Sequence, residues 1–385
     1  MKIGIVTHWM AVDNYGGMLQ SYALQRYLRN LGHDAYLIRF FIDNKSQQSL
    51  IVRIKSALKS LMITLNLFPH ANEIKQEERI RKEWIKKRKF DVFRNKHINL
   101  SDKIYYSLSD IQKNPPEADV YITGSDQVWA GDLNNPNIWI FYLDFGTANS
   151  KRVSYAASFG FSSFPGKDIS KFKELLGRFD MISVREKSGV DICKENGFDA
   201  VRCIDSTMLL NMNDYLSLMA PKKHDERFAF FYTVNVSSPE EIYWTTICDY
   251  LNKKYIKSVV TTGNGYNKAR EIFDGALYDY ATVEEWLSNI YYSDVVLTAS
   301  FHGIVFSILL QKNFIYLPLQ GRAGGGNNRV MDLLESANLN NRIARSAEET
   351  IKLIEQDIDY SNLDNSLLVD LINNSKQFIA SAIER

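Results

Sequence analysis

The sequence predicts an α/β protein of two halves, each built around a parallel sheet. Short apolar, β-branched runs alternate with helix-like segments along most of the chain, as expected when crossover helices cover both faces of parallel strands. The length of 385 residues corresponds to two domains of about 100 to 200 residues each. With 45% hydrophobic residues, both halves can form substantial cores.

The first half, residues 1–210, shows the alternation most clearly. Its first helix is indicated by Leu19, Ala23 and Leu28 at helical spacing, with Gly32 as a carboxyl-terminal stop. The turn before this helix contains glycines but does not match the GxGxxG pattern of dinucleotide-binding folds. The strands predicted in this half are residues 2–9, 35–40, 119–124, 152–159, 181–186 and 200–205.

A segment near residues 43–114 does not fit this alternation, and we predict a basic helical insertion there. Residues 51–100 carry 13 Lys and Arg against 5 Asp and Glu, an excess of +8 in a chain whose net charge is +1. Two interpretations are open. The insertion could present a solvated charged face, or it could approach an anionic membrane or an anionic lipid-linked acceptor.

The second half, residues 211–385, repeats the alternation. Thr282 and Glu285 have the spacing of a capping box and predict the start of a helix. The last helix of the chain could pack back on the first domain. The strands predicted in this half are residues 228–234, 257–263, 294–301, 314–319 and 342–345.

Composition argues against several classes of protein. A net charge of +1 is not that of a general nucleic-acid binder, and three cysteines without CxxC spacing fit a reducing compartment and give no metal-site pattern. No stretch reaches the roughly 18 apolar residues of a spanning helix, and the amino terminus is too short and too β-like for a signal peptide. We therefore predict a cytoplasmic protein, with peripheral contact at the inner face of the membrane through residues 51–100 as an open alternative.

His302 lies where a predicted strand ends and a helix begins. Val295-Val296-Leu297 is typical of a strand that is covered on both faces, and Ile304-Val305-Phe306 follows at the spacing of a buried helix. Open α/β proteins bind their ligands at this edge of the sheet. The histidine could therefore belong to a ligand site, or it could cap a core helix.

The loop at residues 321–329 has the composition of an anion site. Its glycines let backbone N–H groups come close to an anion, and Arg322 and Arg329 supply positive charge. Such a loop suits a phosphate or a carboxylate. The alternative is a flexible surface loop.

Three segments of the first half follow predicted strands and therefore face one sheet edge. Asn14-Tyr15-Gly16-Gly17 precedes the first helix, where free N–H groups could bind an anion or a sugar hydroxyl, or where the chain could simply turn. In Ser125-Asp126-Gln127-Val128-Trp129, an aromatic platform follows two side-chain acceptors, and Asp126 could be a base, a hydroxyl ligand or a helix cap. Arg185 could bind a carboxylate or phosphate in two-point contact, or Glu186 beside it could neutralise it.

Taken together, these segments resemble the polysaccharide pyruvyl transferase family, and the match spans nearly the whole chain. Each motif alone is weak, but the order of the motifs is quite specific. The shared elements are the Asn-Tyr-Gly turn and the helix start at residues 14–25, residues 124–129, Ser183-Val184-Arg185-Glu186, Asp205-Ser206-Thr207 and Ser300-Phe301-His302-Gly303.

The resemblance implies an α/β fold with two Rossmann-like domains of the glycosyltransferase-B type facing a central cleft. It also implies transfer of the pyruvyl group of phosphoenolpyruvate onto two hydroxyls of a sugar, in a polysaccharide or its lipid-linked precursor, to give a cyclic ketal. No metal or organic cofactor is expected. The expected partners are therefore phosphoenolpyruvate and a sugar acceptor, and the oligomeric state is left open.

The resemblance also assigns site residues. It makes His302 the acid or base, and it gives the donor Arg185 and a basic residue further along the chain, here Arg322. We add Asp126 as a second catalytic candidate and Arg329, Ser300 and Asn328 as donor-binding candidates. The first-half turns are assigned to the acceptor or the cleft through Asn14, Tyr15, Gly16, Gly17, Ser125, Gln127 and Trp129.

One position departs from the family pattern. Many members carry arginine two residues before the histidine, whereas this chain has Ser300 there. The donor carboxylate would then be held by Arg322 or Arg329, or in a different way. Two other functions also stay open: a nucleotide-sugar-dependent glycosyltransferase of the same fold, whose diphosphate the arginine loop could hold, and a non-catalytic glycan-binding relative.

Overall fold

Two parallel sheets organise the protein, a computed structural model that describes residues 1–41, 50–130, 133, 135–147, 149–161, 169–263, 272–320, 324 and 326–384. The first sheet has the strand order β3-β2-β1-β4-β5-β6-β7, and all its pairings are parallel. Its strands are β1 (Lys2–Val6), β2 (Asp34–Phe40), β3 (Leu100–Tyr105), β4 (Val120–Asp126), β5 (Lys151–Ala157), β6 (Met181–Val184) and β7 (Val201–Arg202).

The second sheet has the order β10-β9-β8-β11-β12 and is also parallel. The central strand β8 is buried along its whole length, as expected for a strand with helices on both faces. The strands are β8 (Phe228–Thr233), β9 (Lys257–Thr262), β10 (Leu277–Tyr278), β11 (Val295–Thr298) and β12 (Phe314–Tyr316).

Helices cover the faces of both sheets. In the first half they are α1 (Tyr15–Asn30), α2 (Leu50–Thr64), α3 (Ala71–Arg88), α4 (Phe90–His97), α5 (Leu108–Lys113), α6 (Ile169–Leu176) and α7 (Lys187–Glu195). In the second half they are α8 (Met212–Leu216), α9 (Trp244–Lys253), α10 (Val283–Tyr292), α11 (Phe301–Leu309), α12 (Asn327–Ser336), α13 (Ala347–Ile354) and α14 (Leu367–Glu384). Short 3₁₀ helices lie at Pro136–Tyr142, Ser206–Leu209, Pro239–Ile242, Asn340–Arg342 and Tyr360–Asn365.

Local capping explains where two of the helices begin. The Asn14 side chain accepts a hydrogen bond from Gly17 N at the start of α1. The predicted capping box at the start of α10 is confirmed, because Thr282 and Glu285 each bond the other's backbone N–H.

The last helix, α14, packs on the first domain. Ser375 Oγ on α14 accepts a hydrogen bond from Ile204 N at 2.8 Å, and Lys151 Nζ donates to the carbonyl of Ile383 at 3.5 Å. Buried side chains of α14, Phe378 among them, belong to a hydrophobic cluster shared by both sheets. The carboxyl terminus therefore ties the two domains together.

Two predictions about elements are wrong. Residues 342–345 do not form a strand, because Arg342 ends a 3₁₀ helix and only Ile343 makes an isolated bridge, to Tyr316. The insertion near 43–114 is not wholly helical, since β3 adds to the edge of the first sheet beside β2. In the part of the chain that the structure describes, no helix is both long and apolar enough to cross a bilayer.

Candidate active site

The carboxyl ends of the central strands of both sheets meet at one place. In the first sheet the chain order reverses between β1 and β4, and in the second it reverses between β8 and β11. Such switch points create a crevice outside the strand ends, where open α/β proteins bind ligands. Asp126 ends β4, and the turn after β11 leads into α11, which carries His302 near its start.

Asp205 accepts several of the hydrogen bonds that hold the site together, and its side chain is fully buried. It follows β7 and caps the 3₁₀ helix after it, with Oδ1 accepting from the N–H and the hydroxyl of Thr207 at 3.1 and 2.8 Å. Oδ2 accepts from Ser125 Oγ at 3.0 Å and from Arg185 Nη1 at 2.9 Å. Burial would raise the pKa of Asp205, but His302, Arg185 and the Thr207 N–H outweigh it, so the pKa lies well below its usual range.

Arg185 follows β6 and is surrounded by carboxylates. Its Nε donates to Glu186 at 2.9 Å, its Nη1 donates to Asp205 at 2.9 Å, and Nη1 lies 3.6 Å from Asp126 Oδ1. Burial would lower the pKa of this guanidinium, but the three carboxylates raise it on balance. Its Nη2 is buried and has no hydrogen-bond partner among the described residues. The Nη2 group of this immobilised guanidinium is therefore available to donate hydrogen bonds to a ligand.

His302 is buried at the boundary between the two domains. It is the second residue of α11, and Ser300 occupies the N-cap position, so the histidine is not the helix cap. Its Nε2 lies 3.7 Å from Asp205 Oδ2 and has no hydrogen-bond partner within the described ranges. The imidazole also lies against Gly16 of α1, where a Cβ would be 2.0 Å from Nδ1. His302 therefore contacts the first domain through both Gly16 and Asp205.

Phe301 lies close to two guanidinium groups. Its ring centroid is 4.9 Å from Arg185 Cζ and 5.9 Å from Arg329 Cζ, both distances at which cation–π attraction operates. Arg329 belongs to the first turn of α12, and its buried Nε has no partner among the residues that the structure describes. Burial and the neighbouring Arg185 lower the pKa of Arg329.

The arrangement is suited to an anion. Arg185 Nη2, Arg329 Nε and His302 Nε2 are three buried nitrogens without hydrogen-bond partners in the described part of the chain. A buried polar group without a partner is costly, and charge-assisted hydrogen bonds to an anion are among the strongest available. A ligand with several anionic oxygens could satisfy all three.

Asp126 adds an acceptor beside these donors. Its backbone φ is +77°, a left-handed conformation that aspartate tolerates better than most side chains do. Burial would raise the pKa of Asp126, but Arg185, His302 and His8 lower it on balance. The carboxylate is therefore ionised near neutral pH and can accept hydrogen bonds from hydroxyl groups.

Several predicted site residues serve the scaffold. The Asn14 side-chain oxygen caps α1 by accepting from Gly17 N, and Ser125 Oγ donates a hydrogen bond to Asp205 Oδ2. Tyr15 donates to the carbonyl of Ala281 at 2.6 Å and so joins the two domains. Ser300 N donates to Thr298 Oγ1 at 3.0 Å, and the Ser300 side chain makes no capping hydrogen bond to α11.

Other predicted residues lie apart from these contacts. Asn328 is exposed, and Gln127 is half-buried beside Gly160. Arg322 lies outside the described residues. The prediction that Trp129 forms an aromatic platform in the cleft is wrong. Its ring is fully buried against Tyr142, and its N–H donates to the carbonyl of Phe141. Trp129 is a core residue because the chain turns inward after β4.

Sequence reasoning missed three residues of the site. The sequence presents Asp205 only as part of a motif, and Glu186 only as a residue that could neutralise Arg185. His8 is absent from the predicted site residues, although it follows β1, the neighbour of β4, and lies near enough to Asp126 to contribute to lowering the pKa of that carboxyl. Its position at a central strand end was the available signal.

No group of three or more His, Cys, Asp or Glu side chains is placed to hold a metal ion in the described ranges.

Comparison with known proteins agrees with the architecture. A family model described as polysaccharide pyruvyl transferase matches residues 14–320. No curated protein sequence matches the chain significantly.

Among solved structures, UDP-GlcNAc 2-epimerase from Neisseria meningitidis is similar with a TM-score of 0.50 and 10% identity, over 100% of this chain and 99% of that chain. UDP-N-acetylglucosamine 2-epimerase from Rickettsia bellii is similar with a TM-score of 0.50 and 10% identity, over 99% of this chain and 96% of that chain. E. coli ADP-heptose LPS heptosyltransferase II has a TM-score of 0.41 and 9% identity, over 98% of this chain and 100% of that chain. The similarity concerns the fold, and the predicted fold class is confirmed: two parallel α/β domains of the glycosyltransferase-B type.

Proposed function

Because the chain belongs to the polysaccharide pyruvyl transferase family, we propose that it transfers the pyruvyl group of phosphoenolpyruvate to two hydroxyls of a sugar. The product would be a cyclic ketal on a polysaccharide or its precursor. The observation that carries this proposal is the convergence of Arg185, Arg329 and His302, each with a buried nitrogen that has no hydrogen-bond partner in the described part of the chain.

The donor matches these nitrogens in charge. Phosphoenolpyruvate carries a carboxylate and a phosphate, so it needs at least two separate groups of N–H donors. Arg185 Nη2 comes from the first domain, and Arg329 Nε comes from the second. With Ser300 where many relatives have arginine, Arg329 is the described cation that we assign to the missing contact. Arg322 would be a further donor-binding candidate from the same loop.

The reaction needs one proton donor and two proton acceptors. The methylene carbon gains a proton, and the first sugar hydroxyl bonds to the adjacent carbon and loses its own proton. Phosphate then leaves with the electrons of its C–O bond. The second hydroxyl attacks the resulting cation and also loses its proton, which closes the ketal. One of the two hydroxyl protons replaces the proton given to the methylene, and the other leaves with phosphate.

We assign the acid to His302 and an acceptor role to Asp126. Asp205 Oδ2 lies 3.7 Å from His302 Nε2, and the lowered pKa of Asp205 keeps this carboxylate ionised, so a negative charge faces the imidazole. The ionised Asp126 can orient an attacking hydroxyl and accept its proton. Positioned acid–base groups of this kind contribute about 10² to 10⁴ in rate.

A donor comparison tests the proposal. The protein is incubated with glycan acceptors and either phosphoenolpyruvate or a set of nucleotide sugars, and the release of phosphate and of nucleotide is measured. Pyruvyl transfer predicts acceptor-dependent phosphate release, with a product heavier than the acceptor by one pyruvate less one water. Nucleotide release with sugar transfer would instead identify a glycosyltransferase. No consumption of either donor with any acceptor would favour the non-catalytic alternative.

A further inference from the structure

A ridge of leucines stands out from the basic insertion. Leu58 and Leu61 lie on α2, and Leu65 and Leu67 follow directly after it. The four side chains are 56%, 55%, 57% and 67% exposed, respectively. Leu58, Leu61 and Leu65 are three and four residues apart, which is the spacing of one face of a helix. We call these four residues the leucine ridge. Clustered exposed apolar side chains of this kind mark interaction sites.

The chain segment that carries the leucine ridge is basic. Residues 50–72 contain no Asp or Glu but contain Arg53, Lys55 and Lys59. Lys55 and Lys59 are exposed and four residues apart, so they lie along one side of the leucine stripe. Lys59 Nζ also lies 5.2 Å from the ring of Phe68, beside the end of the ridge.

The ridge is fixed to the body of the protein through α3. Lys75 Nζ on α3 donates to the carbonyl of Thr64 at 2.8 Å and to Asn66 Oδ1 at 2.7 Å, which holds the end of α2 against α3. Further along α3, the buried Trp84 stacks on Tyr278 at 5.3 Å. Arg88 Nη2 donates to the carbonyl of Thr262 at 2.6 Å.

We propose that the leucine ridge docks on the surface of an anionic lipid bilayer. An amphipathic helix with leucines on one face and lysines beside them binds such surfaces through both apolar burial and attraction to acidic headgroups. A second copy of the chain fits less well, because two such segments would bring their lysines together. The proposal does not depend on the chemistry at His302, so the two can fail separately.

Sedimentation with vesicles tests this docking. The full chain is mixed at low salt with phosphatidylcholine vesicles that contain or lack phosphatidylglycerol. We expect binding to the anionic vesicles that weakens as salt is raised. The double variant L61Q/L65Q should bind at least about tenfold more weakly, because apolar burial contributes to interfacial binding. The control is L367Q, which replaces a leucine that is 66% exposed at the start of α14. This variant should bind the vesicles like the wild type.

The charge contribution is tested in parallel. K55Q/K59Q should lose about tenfold or more in affinity for the anionic vesicles, since each basic residue near such a surface contributes about 1 kcal/mol. The control is K113Q/K194Q, which removes two exposed lysines elsewhere. All variants should keep the wild-type melting temperature and the wild-type turnover of a water-soluble acceptor.

Three results would overturn the proposal. The first is an absence of wild-type binding to anionic vesicles at low salt. The second is binding that L61Q/L65Q leaves unchanged. The third is a concentration-dependent dimer, seen in sedimentation velocity without lipid, that L61Q/L65Q abolishes. That last result would place a second copy of the chain on the leucine ridge.

Discussion

His302 rests directly on Gly16, across the boundary between the two domains. A Cβ at position 16 would lie 2.0 Å from His302 Nδ1 and 2.7 Å from its Cβ, far inside van der Waals contact. Glycine is therefore required for the imidazole to reach Asp205, whose Oδ2 lies 3.7 Å from Nε2. His302, the proposed acid, can occupy this position only because residue 16 of the other domain has no side chain.

Gly16→Ala should inactivate the enzyme by displacing this imidazole. Alanine is favoured over glycine within a helix by about 1 kcal/mol, so helix propensity alone predicts no harm. The displacement should lower kcat by about 10²-fold or more, as misplacement of a catalytic group by about 1 Å does. Gly17→Ala is the control, because its Cβ would meet only the Asn14 side chain, at 3.1 Å. Normal kcat in Gly16→Ala would contradict this account of His302.

Arg185→Ala should strongly destabilise the fold. The substitution leaves Asp205 and Glu186 buried without their cation, and breaking a buried ion pair in this way costs about 3 to 5 kcal/mol. Urea unfolding at neutral pH measures the loss. Arg329→Ala is the comparison, since Arg329 Nε has no hydrogen-bond partner among the described residues, and it should lose much less stability. Equal losses in the two variants would argue against the ion-pair network.

Arg329→Ala should weaken binding of phosphoenolpyruvate. Hydrogen bonds to charged groups contribute about 1.5 to 3 kcal/mol, so the dissociation constant should rise about tenfold to a hundredfold. Calorimetric titration of the donor into the protein measures it. Arg345→Ala removes an exposed arginine outside the site and should bind the donor like the wild type. An unchanged dissociation constant in Arg329→Ala would remove this residue from the donor site.

Asp279 should make a pH-dependent contribution to stability. Burial would raise its pKa, but His224, Lys223 and Asn289 lower it from 3.8 to about 2. Since the folded-state pKa is the lower one, the contribution is complete above pH 3.8 and is lost as pH falls through about 2. The size is about 2 kcal/mol at neutral pH and roughly half that at pH 3.

Unfolding of Asp279→Asn and the wild type across this pH range tests the prediction. The difference in the free energy of unfolding should be largest at neutral pH and should shrink below pH 4. The exposed Asp191→Asn is the control and should show no such trend. A difference for Asp279→Asn that stays constant from pH 7 to pH 3 would contradict the assigned pKa.

The sequence predicted the elements that carry the site better than it predicted the contacts. The strand before His302 and the strand before Arg185 were both expected, because short buried runs bounded by turns are local signals. The partnership of Ser125 with Asp205 was not, since it joins residues 80 positions apart and depends on how β4 and β7 are placed in the sheet. Trp129 shows the same limit, because an aromatic residue after a strand can face either the cleft or the core.

The insertion illustrates a second limit. Its basic charge and helical character were visible in the sequence, but its attachment to the second domain was not. Arg88 reaches the carbonyl of Thr262, which is a contact between distant parts of the chain. Charge composition describes the solvated side of a helix and carries no information on the few buried residues that fix its position.

Isotope transfer from phosphoenolpyruvate tests the central claim most directly. The donor, labelled at its enol carbon, is incubated with glycan acceptors that have neighbouring free hydroxyls, and the products are analysed by NMR. The account predicts that the wild type places the label in a quaternary ketal carbon of the glycan with equimolar release of phosphate. His302→Ala should bind the donor but lose about 10²-fold or more in rate. The contrary result would be release of free pyruvate without labelled glycan, or near-normal ketal formation by His302→Ala.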